Sequence, residues 1–209
     1  MSHPKFEDLP FYERPDLTPY LIHLTKNTEA EDEYSAFDNL VNILQTGKIW
    51  ATKTFIKGPN PAACFMDVPF YSLKYILNKE NTDPENPRYE PFGVFVTKRY
   101  AYLKGCRPVL YLSDEEVQRL EMPDSELWRV VRLELSDTEC ISWLHEREWR
   151  AKGDFGLPWE LDGVLVHNPD CAKKLQTLIA NDASDFKAKP RSIIPLTVLC
   201  QGLPLMHRG

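Results

Sequence analysis

No apolar run in this 209-residue chain approaches the length needed to span a bilayer, so a membrane-crossing helix is not expected. The opening residues, MSHPKFEDLP, lack a basic stretch followed by an apolar one, which argues against a secretory signal and for a cytoplasmic location. Cys64, Cys106, Cys140, Cys171 and Cys200 are odd in number and never spaced CxxC. That pattern disfavours a disulfide frame or a zinc site and suits reduced, mostly buried thiols. Nothing reads GxGxxG or GxxxxGK[ST], so the commonest nucleotide-binding folds lose support. A surplus of basic charge is also missing. The formal charge is -6, so the surface as a whole does not suit a polyanion. Lys187, Lys189 and Arg191 in FKAKPRS form the best local basic patch. Internal repeats, low-complexity tracts and a domain linker are absent from the sequence.

What is present is an ordinary globular composition, 43% hydrophobic and 27% charged. Its length suits one domain with a substantial core. Residues 1–19 carry Pro4, Pro10, Pro15 and Pro19 without periodicity and read as an extended arm, packed through Phe6, Phe11 and Tyr12. Residues 20–209 read as a single domain. YLIHLT, from Tyr20, alternates as a strand does. After the acidic loop KNTEAEDE, the residues Phe37, Leu40, Val41, Ile43 and Leu44 fall at helical spacing, with Gly47 at the helix end. Further strands are expected at KIWAT, FGVFVTK, RPVLYL, LWRVVRLEL, DGVLVHN and SIIPLTVL. Helices are expected after Asp67 as N-cap, in RYAYLKG, after Ser113 with Glu116 as a capping box, and in PDCAKKLQTLIA. Residues 78–91, rich in proline and charge, read as a surface loop. Strands separated by short, irregularly placed helices predict an α+β fold around a central, largely antiparallel sheet.

The stretch CISWLHEREWRA carries the densest chemistry. Read as extended, it places Glu146 and Glu148 on one face and Trp143, His145 and Trp149 on the other. Two adjacent carboxylates can divide labour, one orienting a hydroxyl and the other taking a proton. The alternative is that Arg147 and Arg150 neutralise them and the segment is a structural strand edge. Read as helical, it would set His145 and Glu148 at i and i+3, a weak metal pair that His167 could join; no metal is expected. His23, with Thr25 two residues on, could offer hydrogen bonds to a ligand hydroxyl. Tyr71 and Ser72 supply an aromatic platform and a hydroxyl.

The order of these residues resembles the ADP-ribosyltransferase fold, whose motif positions carry an Arg or His, then a Ser, Thr or Tyr, then a late Glu. IHLTK followed by NLVNILQTGKIWA resembles the opening of DarT-type transferases. CFMDVPFYS, PFGVFVTKRYAYLKGCRPVLYL and HEREWR resemble the abortive-infection family AbiGi, associated with phage resistance and labelled with an antitoxin role. The resemblance spans residues 20–150. It implies NAD as the bound cofactor, with His23 and Thr25 on its ribose or amide, and Tyr71 or Ser72 at the nicotinamide. Glu148 would act on the ribose 2′-hydroxyl and Glu146 would activate a protein or nucleic-acid acceptor. The sequence departs from the transferase pattern in having FYS where the family has STS. Two other readings stay open: a non-catalytic antitoxin that binds a partner protein of a defence system, and a nuclease using both glutamates around a divalent ion.

Overall fold

The structure, a computed structural model, describes residues 14–27, 34–83, 87–200 and 203. Most of the arm expected at 1–19, with Phe6, Phe11 and Tyr12, and most of the acidic loop after Thr25 lie outside the described residues. The first half of the chain contains β1 (Tyr20–Leu24), α1 (Ala36–Thr46), β2 (Lys48–Ile49), β3 (Ala62–Met66), α2 (Leu73–Ile76), β4 (Gly93–Thr97) and α3 (Lys98–Leu103). Then come β5 (Arg107–Pro108), β6 (Leu110–Leu112), α4 (Asp114–Arg119), β7 (Val130–Arg132), β8 (Glu134–Leu135), β9 (Cys140–Ile141) and β10 (Glu148–Lys152). The last part holds β11 (Phe155–Gly156), β12 (Glu160–Leu161), β13 (Gly163–Val166), α5 (Pro169–Asn181), β14 (Lys189–Pro190), β15 (Ile193–Pro195) and α6 (Leu196–Leu199). Among the described residues, no helix is long and apolar enough to cross a membrane.

Seven strands form one sheet in the order β15-β13-β4-β1-β3-β10-β5. Only the β13–β15 pair within it is parallel, so the expected mixed, largely antiparallel α+β architecture is what the chain forms. Strand alternation sends Leu21, Ala63, Phe65, Val94, Val96 and Ala151 to one face, where α1 and α5 cover them through Leu40, Leu44 and Leu175. Ile22, Leu24, Met66, Phe95 and Leu165 point the other way, onto Leu73, Ile76, Leu77 and Leu196. Each fully buried leucine contributes roughly 1.5–3 kcal/mol, which is why α1 docks despite its modest length.

Local chemistry sets the ends of α1. Ser35 Oγ accepts from the Asp38 amide while Asp38 accepts from the Ser35 amide, closing a capping box. Gly47 ends the helix at φ 68°, a left-handed conformation that glycine enters without strain. The expected box at Ser113 and Glu116 also forms at the start of α4. Asp67, by contrast, caps nothing. The chain leaves β3 into a 3₁₀ turn, Phe70–Ser72, whose N-cap is Pro69, before the single turn of α2. RPVLYL and LWRVVRLEL break into shorter pieces, and SIIPLTVL leaves its strand at Pro195, which is the N-cap of α6.

The sheet is weakest between β1 and β3. Ile22 and Met66 are the one register pair there, whereas β1 pairs with β4, and β3 with β10, over five residues each. His23 fills the seam: its Nδ1 lies 2.8 Å from the Cys64 carbonyl oxygen. Because a carbonyl only accepts, the proton is on Nδ1 and the neutral ring carries its lone pair on Nε2. Burial holds the imidazole below its ordinary pKa, and the Cys64 carbonyl partly offsets this.

Two outcomes follow for stability. A Cβ at Gly93 would meet the backbone oxygen of His23 at 2.3 Å. Gly93→Ala should therefore cost roughly 1–3 kcal/mol, read as a lower urea midpoint with an unchanged slope. For His23, the unfolded chain takes up a proton near pH ~6.5 while the folded chain resists until lower pH. Its contribution is complete above that pH and is lost as pH falls through and below it. The difference in melting temperature between wild type and His23→Gln should shift in the variant's favour from pH 7 to pH 5. A difference independent of pH would contradict a neutral ring held in the seam.

Candidate functional site

The WLHEREWR segment is not one extended strand. Leu144–Glu146 form a 3₁₀ turn, Arg147 takes the left-handed conformation at φ 48° and ψ 50°, and β10 begins only at Glu148. The expectation that Glu146 and Glu148 share a strand face is therefore corrected, as is the shared face of Trp143, His145 and Trp149. A left-handed non-glycine residue costs about 1–2 kcal/mol. Arg147 is held there by its guanidinium, which donates to the Asp16 carbonyl at 2.6 Å and lies 3.8 Å from Asp67.

The kink gives each glutamate its own surroundings. Glu146 is 7% exposed, and its Oε1 accepts from Arg88 at 2.7 Å and from the Tyr89 hydroxyl at 2.6 Å. Arg88 also stacks over Trp143, 4.0 Å from the ring centroid. Burial, reinforced by the Glu146 charge, pushes the Tyr89 phenol well above its usual range, so it stays a donor. Glu146 thus pins residues 88–89 of the predicted surface loop to the turn. The backbone of the turn is tied as well, because Asp67 N–H donates to the Glu146 carbonyl at 3.3 Å. Asp67 itself pairs with Lys98 at 2.8 Å.

Glu148 is fixed more completely. Arg150, two residues along the same face of β10 and only 4% exposed, clamps both carboxylate oxygens, with Nε at 2.7 Å from Oε1 and Nη2 at 3.1 Å from Oε2. Nη1 of Arg150 donates to the carbonyls of Trp128 and Val130 at 3.0 and 3.1 Å. The Glu148 amide donates to the Tyr111 hydroxyl at 3.1 Å, and its carbonyl accepts from Val109 at 3.0 Å. A tenth of the Glu148 side chain stays exposed. Of the arginines expected beside the acids, Arg150 pairs with Glu148, while Arg147 turns to Asp67 and Arg88 takes its place at Glu146.

The other sequence candidates do not converge on this point. Glu148, Met66 and Ile22 share one row of the sheet, and His23 sits on the next row, facing the opposite side with Val94. Strand β3 lies between, so the His23 and Glu148 backbones are roughly 10 Å apart. A single constellation of both side chains on one sheet face is not formed. Thr25 is 5% exposed and spends its hydroxyl proton on the Ala36 and Phe92 carbonyls. Tyr71 donates to the Pro15 carbonyl. Ser72 ends the 3₁₀ turn on the Met66 side of the sheet. Among the described residues, no cluster of His, Cys, Asp or Glu could hold a metal. Burial pushes the Cys64 and Cys106 thiols up, the latter to about 12, so neither is an activated nucleophile. The 187–191 patch is partly committed too, since Lys189 of β14 stacks over Trp159, the residue before β12.

Sequence reasoning missed Arg88, Tyr89, Asp67, Lys98 and Tyr111 as parts of the site. Arg88 and Tyr89 meet Glu146 across nearly sixty residues of chain, and their proline-rich surroundings argued only for a loop. A pairing of that separation leaves no periodic signal.

No protein-family model and no curated protein matches the chain. Among solved structures, it is similar to Thermus sp. 2.9 DarT in complex with carba-NAD+, at 13% sequence identity and a TM-score of 0.49, over 87% of this chain and 97% of that one.

Proposed function

We propose that the chain is an NAD-dependent ADP-ribosyltransferase of a phage-defence system, with Glu148 as the carboxylate that acts on the nicotinamide ribose. The observation that carries this reading is the fourfold fixation of Glu148, by Arg150 on both oxygens, Tyr111 on the amide and Val109 on the carbonyl. A carboxylate offers about four lone-pair positions. Arg150 engages one on each oxygen and the Cys64 thiol is a further hydrogen-bond partner, so a remaining position can accept from the ribose 2′-hydroxyl, and the carboxylate faces the positive charge that grows as nicotinamide departs. A charge held in place before the reaction needs no reorganisation during it. Glu146 does not share this work in the proposal; it ties Arg88 and Tyr89 of the loop to the turn. His23 is assigned to the seam, and Tyr71 and Thr25 to internal bonds. The acceptor is a protein or a nucleic acid.

A second reading is favoured by a specific observation: both glutamates, Thr25 and Tyr71 already satisfy partners within the chain. That suits a non-catalytic antitoxin or partner-binding component. Incubating labelled NAD with the protein and an extract of proteins and nucleic acids separates the two. Transfer by wild type, reduced about 10²-fold or more in folded Glu148→Gln, is the expected result. No transfer by either protein, with no NAD-dependent rise in melting temperature, would leave the partner-binding reading.

A further inference from the structure

We propose that Arg150 and Tyr111 are positioning residues for Glu148, one orienting its carboxylate and the other its backbone; this rests on the transferase reading. Glu148 follows directly on the left-handed Arg147, and as the first residue of β10 it is paired with Met66 and accepts from the Val109 amide. Two further contacts set its direction. The guanidinium of Arg150 is planar and presents its donors as a fork, so it sets the plane of the carboxylate as well as its place. Its own orientation is set by the Trp128 and Val130 carbonyls, which belong to a different segment of the fold. Tyr111 accepts from the Glu148 amide and lies 3.3 Å from the Trp143 carbonyl, donating to it, so one hydroxyl spans the turn from its N-cap to the start of β10. Burial pushes this phenol up, which keeps the proton it donates. Neither residue is assigned contact with NAD.

The test measures nicotinamide release from NAD, with kcat and KM determined below the melting temperature of each variant. Arg150→Lys keeps the charge and loses the fork. It should lower kcat about tenfold or more while KM stays within about twofold, because a misplaced group costs the reaction and not substrate binding. Tyr111→Phe, at a half-buried site, should lower kcat by a smaller factor with the same split. Arg150→Lys added to Glu148→Gln should cost nothing further, since the group it positions is already gone. Folded Arg150→Lys and Tyr111→Phe with wild-type kcat, even at lower melting temperatures, would overturn the proposal and leave the transferase reading standing. If Arg150→Lys does not fold, Tyr111→Phe decides alone. Wild type that releases no nicotinamide removes the reading and the positioning role together.

Discussion

A buried guanidinium is the constraint around which this part of the molecule is organised. Arg150 is nearly inaccessible to water, and removing such a charge from solvent costs several kcal/mol unless its donors are met. Here they are met by the carboxylate of Glu148 and by the carbonyls of Trp128 and Val130. The same pairings join two bodies of structure. Glu148 and Arg150 belong to the large sheet through β3, while Trp128 and Val130 lead into the small β6–β7 sheet. The pair is weak grounds for net stability, since apolar side chains of similar volume could pack as well. The observed placement of the 128–130 segment gives the guanidinium all of these acceptors at once.

The seam between β1 and β3 obeys a related logic. A sheet that parts leaves backbone groups without ladder partners, and a buried carbonyl so exposed must be satisfied some other way. The His23 imidazole reaches the Cys64 carbonyl and does this with a side chain. That use explains why His23 faces away from Glu148. A histidine on the Ile22 row could face the glutamate but would leave the Cys64 oxygen without its bond, so closing the seam and facing Glu148 are competing demands on one ring.

How much of this the sequence disclosed depends on the range of the interaction concerned. Helix α1 was legible because its apolar spacing and its terminal Gly47 are local facts, and the Ser113 box was legible for the same reason. The alternation of β1, β4 and β13 likewise follows from period-two burial. The kink at Arg147 was not legible, since nothing local favours a left-handed arginine. Its supports, Asp16 and Asp67, come from the arm and from the end of β3. The partners of Glu146 come from a loop whose composition reveals only that it is a loop. His23, Thr25, Tyr71 and Ser72 were identifiable as residue types with chemistry. Whether their polar atoms were free was decided by folding, and for Thr25 and Tyr71 they are not.

The kink also alters what two acids in an ExE pattern can mean. On a regular strand the carboxylates would lie on one face within mutual repulsion, and dividing roles between them would require one to hold its proton. Turning the chain through Arg147 gives each acid a separate cation, Arg88 for Glu146 and Arg150 for Glu148. Glu146 then becomes a bolt for residues 88–89, its Oε1 shared by Arg88 and Tyr89. Glu148 becomes a carboxylate whose plane is set by the Arg150 fork on its own strand. The difference between the two acids arises from a single backbone conformation between them.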